Sequence, residues 1–226
     1  MNRVISGLST LDHLLGGGLP IIPDIVVSGT EKDVFLFSQC LMWNRVKSGD
    51  LCVYSTVSRT QKEVQDNSLS LGRDLSPFIR QGILRIVDYS FFGRKSKTSD
   101  ENYRTVKHVN EVLDPDSVHR VLAKEFLTLR VRRPNRRFLF IIDSMDKLIT
   151  LMGLENILHF KKNVSNLFDD TNSCGLTLLY SDLLSNEIIE SVRREASVFI
   201  ELTRKQDGRQ MFRVTKNLYS GWSFLY

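Results

Sequence analysis

Short apolar runs rich in β-branched residues recur along the chain, and helix-like segments separate them. This is the pattern of a parallel α/β sheet, whose strands are buried on both faces and joined by crossover helices. Seven runs predict strands, over residues 25–28, 51–55, 84–88, 138–143, 176–181, 198–202 and 211–215. The run FLFIID, Phe138 to Asp143, is apolar until its last residue, as expected of a central strand. The segment 34–46, VFLFSQCLMWNRV, is apolar almost all round and predicts a buried helix. Val118, Val121, Leu122, Phe126 and Leu129 line one face of an amphipathic helix opened by Pro115 and Asp116. Leu154, Ile157, Leu158, Val164, Leu167 and Phe168 give a second such face. The fold class is therefore α/β, a mainly parallel central sheet flanked by helices.

Two regions break the alternation. Residues 91–110 are polar and charged after their two aromatics, and are expected to loop out of the sheet as a mobile segment. From Val198 onward the helical segments stop, which predicts a C-terminal β-meander with a turn at QDG, residues 206–208.

Length and composition narrow this picture. The 226 residues suffice for one full-sized domain, residues 1–226, with 1–24 as a lead-in to the first core strand. With 42% hydrophobic and 25% charged residues the composition is that of a globular protein. No apolar run reaches the roughly 18 residues of a membrane span, and MNRVISGLST has no signal-peptide core, so no membrane partner and a cytoplasmic location are expected. The odd count of three cysteines points to a reduced compartment, and the four scattered histidines lack metal-ligand spacing, so no metal site is expected.

The stretch VVSGTEKDVFLF, residues 26–37, joins a strand to the buried helix where a phosphate-binding loop would sit. Such a loop uses glycines to converge backbone N–H groups on an anion, a lysine for the outer phosphates, and a Ser or Thr for magnesium. Here one glycine follows the strand, no Gly-Lys-Ser/Thr is present, and Glu31 and Asp33 would repel phosphate; Lys32 is the single cation. On spacing alone this is a plain strand-to-helix turn.

The wider chain resembles the KaiC-like group of the RecA superfamily, which includes the RadA-type recombinases and their paralogues. ISGLSTLDHLLGGGLP is similar to that family's lead-in, RFLFIIDSMDKLI to its Walker B strand, and ASVFIELTRKQDGRQMFRVTKN to its final β-hairpin. KSGDLCVYSTVSRTQKEV and SLGRDLSPFIRQGILRIVD resemble the segments between. The resemblance runs from about Ile5 to Asn217 and implies a RecA-like P-loop NTPase fold. Carried over position by position, it places Asp143 on the magnesium-binding aspartate of Walker B, followed by Ser144, and puts Ser28 and Gly29 at the start of a phosphate loop. The remaining glycines, the lysine and the Thr or Ser have no equivalents, and Ser58 and Arg59 stand where the family has a glutamate pair that polarises water.

These losses predict a protein with no catalytic residues and no bound ATP or magnesium, a pseudo-ATPase lacking the phosphate-loop Lys and Thr and the catalytic Glu. Its vestigial nucleotide positions would be Ser28, Gly29, Thr30, Lys32 and Asp143. Without a magnesium–nucleotide, Asp143 is expected to cap the turn that follows its strand, and Gly16 to Gly18 to serve backbone turns. The expected role is a regulatory or assembly partner of an active RecA-superfamily protein, or self-association, in recombination, repair or signalling. A non-hydrolysing ATP sensor is an alternative.

Charge supplies a second alternative. The net charge is +5, and RVRRPNRR, residues 130–137, holds Arg130, Arg132, Arg133, Arg136 and Arg137. This run enters the FLFIID strand at its amino end, opposite the edge where ligands of open α/β sheets bind, so it would serve a macromolecular contact such as DNA or RNA. Arg94, Lys95 and Lys97 lie in the predicted loop near Tyr103, a mixture that suits single-stranded nucleic acid. Each stretch reads equally as a solvated loop.

Overall fold

The computed structural model describes residues 3–22, 24–89, 114–168, 172–205 and 207–217. Seven strands form one sheet: β3 (Ile25–Gly29), β4 (Leu51–Thr56), β5 (Leu84–Asp88), β6 (Phe138–Asp143), β7 (Ser173–Tyr180), β8 (Val198–Arg204) and β9 (Gln210–Asn217). Their order is β5-β4-β6-β7-β3-β8-β9. All neighbours pair in parallel except β8 and β9. From Val198 the chain continues as the expected antiparallel strands, β8 and β9, added to the sheet beside β3, with residues 218–226 outside the described set. Strand β7 begins at Ser173, ahead of the predicted 176, because Ser173, Cys174 and Gly175 carry no β-branched apolar signal.

Helices cover both faces. On one lie α1 (Ser9–Leu14), α2 (Glu31–Lys47), α3 (Gln61–Ser70) and α4 (Ser76–Arg80). On the other lie α5 (Pro115–Arg132), α6 (Met145–Met152), α7 (Leu154–Phe168) and α8 (Asn186–Glu195). Period-two alternation assigns each strand residue to one core: in β6, Leu139 and Ile141 face the α2 side, and Phe138, Phe140 and Ile142 face α5 and α7. The α5–α7 side is sealed by Phe126, Phe138, Phe140 and Phe168, with ring centroids 4.1–5.6 Å apart. Helix α2, predicted buried, has ten buried residues, including Val34, Phe37, Leu41 and Met42.

A two-stranded ribbon, β1 (Arg3–Val4) and β2 (Leu19–Pro20), closes the lead-in. Between its strands Gly17 and Gly18 donate to the Asp12 carbonyl at 2.7 and 3.1 Å. Gly18 has φ +123° and lies against the Val4 carbonyl, so the position requires a residue with no side chain. Among the described residues no helix is long and apolar enough to cross a membrane.

The register fixes what meets at the carboxyl edge. Thr56 pairs with Asp143, and Gly29 with Tyr180, so the ends of β4, β6, β7 and β3 stand side by side.

Candidate functional site

The β3–α2 connection is a single residue. Gly29 ends the strand, Thr30 is the N-cap, and the helix begins at Glu31. Thr30 Oγ1 accepts from the Asp33 N–H at 3.3 Å, a local cap that uses one of the donors a phosphate would need. Glu31 and Asp33 put negative charge where the helix dipole favours it. Asp33 also pairs with Arg204 of β8, whose hydrogen bond holds the Asp33 carboxyl below its usual range. Lys32 is exposed, and Ser28 is buried within the sheet. A Cβ on Gly29 would stand 2.7 Å from the Leu202 carbonyl oxygen, so this glycine is required by the approach of β8.

Asp143 does not cap the turn after its strand, contrary to expectation. The N-cap of α6, Ser144, makes no side-chain cap bond. The Asp143 carboxylate instead points by strand parity to the α2 face, where it is 0% exposed and ringed by donors. Tyr54 Oη donates to Oδ2 at 2.8 Å, Tyr180 Oη donates to Oδ1, and Arg59 Nη1 reaches both oxygens at 3.1 and 3.2 Å. The same Nη1 lies 2.7 Å from Tyr180 Oη. Arg59 Nη2 pairs with Glu31 on the first turn of α2, and the guanidinium lies 3.9 Å from the Phe35 ring centroid. One arginine therefore bridges the strand-end carboxylate, the β7 phenol and the helix N-terminus.

Local sequence explains how Arg59 comes to be there. Thr56 Oγ1 accepts from the Ser58 and Arg59 N–H groups at 3.2 and 2.9 Å and donates to the Arg59 carbonyl at 3.1 Å, closing a tight turn after β4. Thr60 and Glu63 then form a capping box that starts α3. Both flanks of Arg59 are pinned. Ser58 lies beside it, with its hydroxyl 2.9 Å from that of Ser144.

The electrostatics follow from enclosure. Burial, and next to it the Asp143 charge, push the Tyr54 and Tyr180 phenols up, so both stay protonated and donate. Burial, the largest single influence, pulls the Arg59 guanidinium down, but the Asp143 carboxylate together with Tyr180 and Tyr54 outweighs it and holds the cation above its ordinary value. Asp146, one turn on, accepts the Tyr180 N–H at 3.1 Å, and burial raises its carboxyl. The cluster is a paired charge and two neutral donors. Among the described residues no group of three His, Cys, Asp or Glu is placed to hold a metal.

The arginine run lies at the opposite, amino-terminal edge of the sheet. Arg130 Nη1 donates to the Arg136 carbonyl at 2.9 Å, and Arg133 Nη2 to that of Gln81 at 3.1 Å. Arg137 pairs with Asp50 at 3.3 Å, and Arg132 and Arg136 are exposed. Arg94, Lys95 and Lys97, with the segment 91–110, fall outside the described residues.

Of the five positions expected as vestigial nucleotide contacts, Ser28 to Thr30 and Lys32 share one turn, whereas Asp143 belongs to the Arg59 cluster. Sequence reasoning had marked Arg59 only as the absence of a glutamate. It missed Arg59 as a counter-charge, and missed Tyr54, Tyr180 and Glu31 as its companions. A signal existed: Tyr54 and Tyr180 share the strand parity of Cys52 and Leu178, which puts their hydroxyls on the face of Asp143.

Comparison with known proteins agrees with the fold. A family model described as ATPase: KaiC matches residues 4–214. A UPF0273 protein of Thermotoga maritima is 27% identical over 134 residues, covering 58% of this chain and 54% of the relative. UPF0273 protein PH0284 of Pyrococcus horikoshii is 25% identical over 144 residues, covering 58% of each. The matched region is thus little more than half of either relative's length. The circadian clock oscillator protein KaiC of Parathermosynechococcus lividus is 34% identical over 92 residues, 38% of this chain and 16% of that protein. Among solved structures, PH0321 from Pyrococcus horikoshii, crystallised with an unknown peptide, superposes with a TM-score of 0.68 over 96% of this chain and 92% of its own, at 13% identity. With the family model spanning nearly the whole sheet and its lead-in, the chain belongs to the KaiC ATPase family.

Proposed function

We propose that this is a KaiC-type domain that has exchanged magnesium–nucleotide chemistry for an internal ion pair, and that it acts as a regulatory or assembly partner of an active RecA-superfamily protein or of a second copy of itself. One observation carries the first half: the Asp143 carboxylate is 0% exposed, with both oxygens taken by Tyr54, Tyr180 and Arg59. A magnesium ion would have to displace the partly buried Arg59 guanidinium from both carboxylate oxygens. The nucleotide's phosphates fit no better, because a one-residue connection with an acidic first helical turn offers them no cradle. Arg59 replaces a glutamate that the family resemblance assigns to water activation, so both the metal and the base are missing from the same reaction. The partner role rests on what is retained: the fold is complete around a site whose groups satisfy one another, which leaves its outer surfaces as the means of action. DNA recombination or repair is the setting the RadA resemblance suggests.

The test is calorimetry with Mg–ATP together with a hydrolysis assay. The reading expects neither heat of binding nor turnover. Micromolar binding with hydrolysis that Asp143→Ala abolishes would overturn it. Copurification from native cells would then identify the partner, and sedimentation would show self-association.

A further inference from the structure

At the amino-terminal edge of the sheet three segments distant in sequence meet. Arg133 donates to the Gln81 carbonyl, beside Arg80 at the end of α4. The Arg136 guanidinium lies against Gly49, two residues after Lys47 at the end of α2, and Leu51 N–H donates to the Arg137 carbonyl at 2.9 Å. Trp43 of α2 meets Phe78 of α4 edge-on at 5.6 Å, with the Lys47 ammonium 5.6 Å from the Trp43 ring centroid. Contacts on both sides therefore hold the ends of α2 and α4 next to the arginine loop. That loop is itself clamped, since Arg130 bonds the Arg136 carbonyl at 2.9 Å.

The charge of these three segments is unbalanced. In the segments 47–50, 80–82 and 130–137 the acid is Asp50, which is buried and taken by Arg45 and Arg137. Lys47, Arg80, Arg132 and Arg136 are exposed on the same rim. We propose that this clamped rim, Lys47, Arg80, Arg132 and Arg136 held in place by Arg130 and Arg133, is a binding surface for the phosphodiester backbone of nucleic acid. Two features favour that partner. The cations are mostly arginines, whose planar forks match phosphate oxygens, whereas an anionic lipid surface draws no such distinction. The loop that carries them is fixed by backbone carbonyls, which suits phosphates at set spacing. The surface lies at the opposite end of the strands from Asp143 and does not depend on the nucleotide reading.

The experiment is fluorescence-anisotropy titration of the full chain with labelled duplex DNA, single-stranded DNA and RNA oligonucleotides from about 25 to 200 mM salt, alongside phosphatidylserine vesicles. Four phosphate contacts give a slope of log K against log salt of about −3.6 for duplex and about −2.8 for a single strand. The variant R132E/R136E, both positions exposed, is expected to lower affinity by about tenfold or more and to flatten the slope by about 2. A charge-matched control, K147E/K205E, alters exposed lysines at the carboxyl end of the sheet and is expected to weaken binding far less. Which oligonucleotide binds tightest assigns the nucleic acid. No binding to any of them at low salt would overturn the proposal, as would equal losses in both variants or retention by vesicles alone.

Discussion

Arg59 and the arginine loop of residues 130–137, at opposite ends of the sheet, treat positive charge in opposite ways. At the carboxyl end Arg59 is enclosed, 13% exposed at its side chain, and its charged contacts are Glu31 and Asp143. At the amino end five arginines crowd eight residues, yet their side chains bond mainly to backbone carbonyls, and Arg132 and Arg136 face solvent. Density of charge along a sequence is therefore a poor guide to its energetic weight. Removing an arginine that faces a buried carboxylate costs more than removing one from a run on a rim, because it leaves the carboxylate desolvated and without a counter-charge.

The strongest way to break this contrast is Arg59→Ala. It leaves Asp143 buried without a counter-charge and is expected to destabilise by about 3–5 kcal/mol in chemical denaturation. The double variant R59A/D143A should recover part of that loss, and strict additivity of the two would show that the pair is not coupled. Next in size is Gly29→Ala. Its methyl group would press on the Leu202 carbonyl, at an expected cost of about 1–3 kcal/mol, and an unchanged denaturation midpoint would mean that β8 yields easily.

A smaller effect at the same end concerns Asp33. Its carboxyl is held below the usual range by Arg204, so its contribution is fully present above the ordinary Asp value and is lost as pH falls through the lowered one. Arg204→Gln should remove this part of the acid limb, seen as a shallower fall in the denaturation midpoint between about pH 5 and pH 2. Smallest of all is R132A/R136A at the other end. It is expected to change stability by no more than about 0.5 kcal/mol, and a larger loss would show that the rim arginines are structural after all.

Much of this was legible from residue patterns. The strand runs, the buried helix at 34–46 and the two amphipathic faces all recur as elements, because burial on both faces leaves continuous apolar runs and burial on one leaves periodic ones. Where the pattern was weak the reading slipped: β7 starts in Ser-Cys-Gly, three residues ahead of its apolar run. The turn at 29–31 was also legible as a plain strand-to-helix connection, with Thr30 as its cap.

What only the tertiary structure decided is the fate of Asp143. From the sequence it looked like a residue with a lost ligand and a turn to cap. Its actual partners come from positions 54, 59 and 180, which parallel pairing of β4, β6 and β7 brings to one edge, and from a tight turn that aims Arg59 inward. Composition fixed which groups the chain possesses and periodicity fixed which faces they share. Only strand order and register could set a guanidinium against a carboxylate 84 residues away, because that attraction depends on distance in space and on the exclusion of water, neither of which is written locally in the chain.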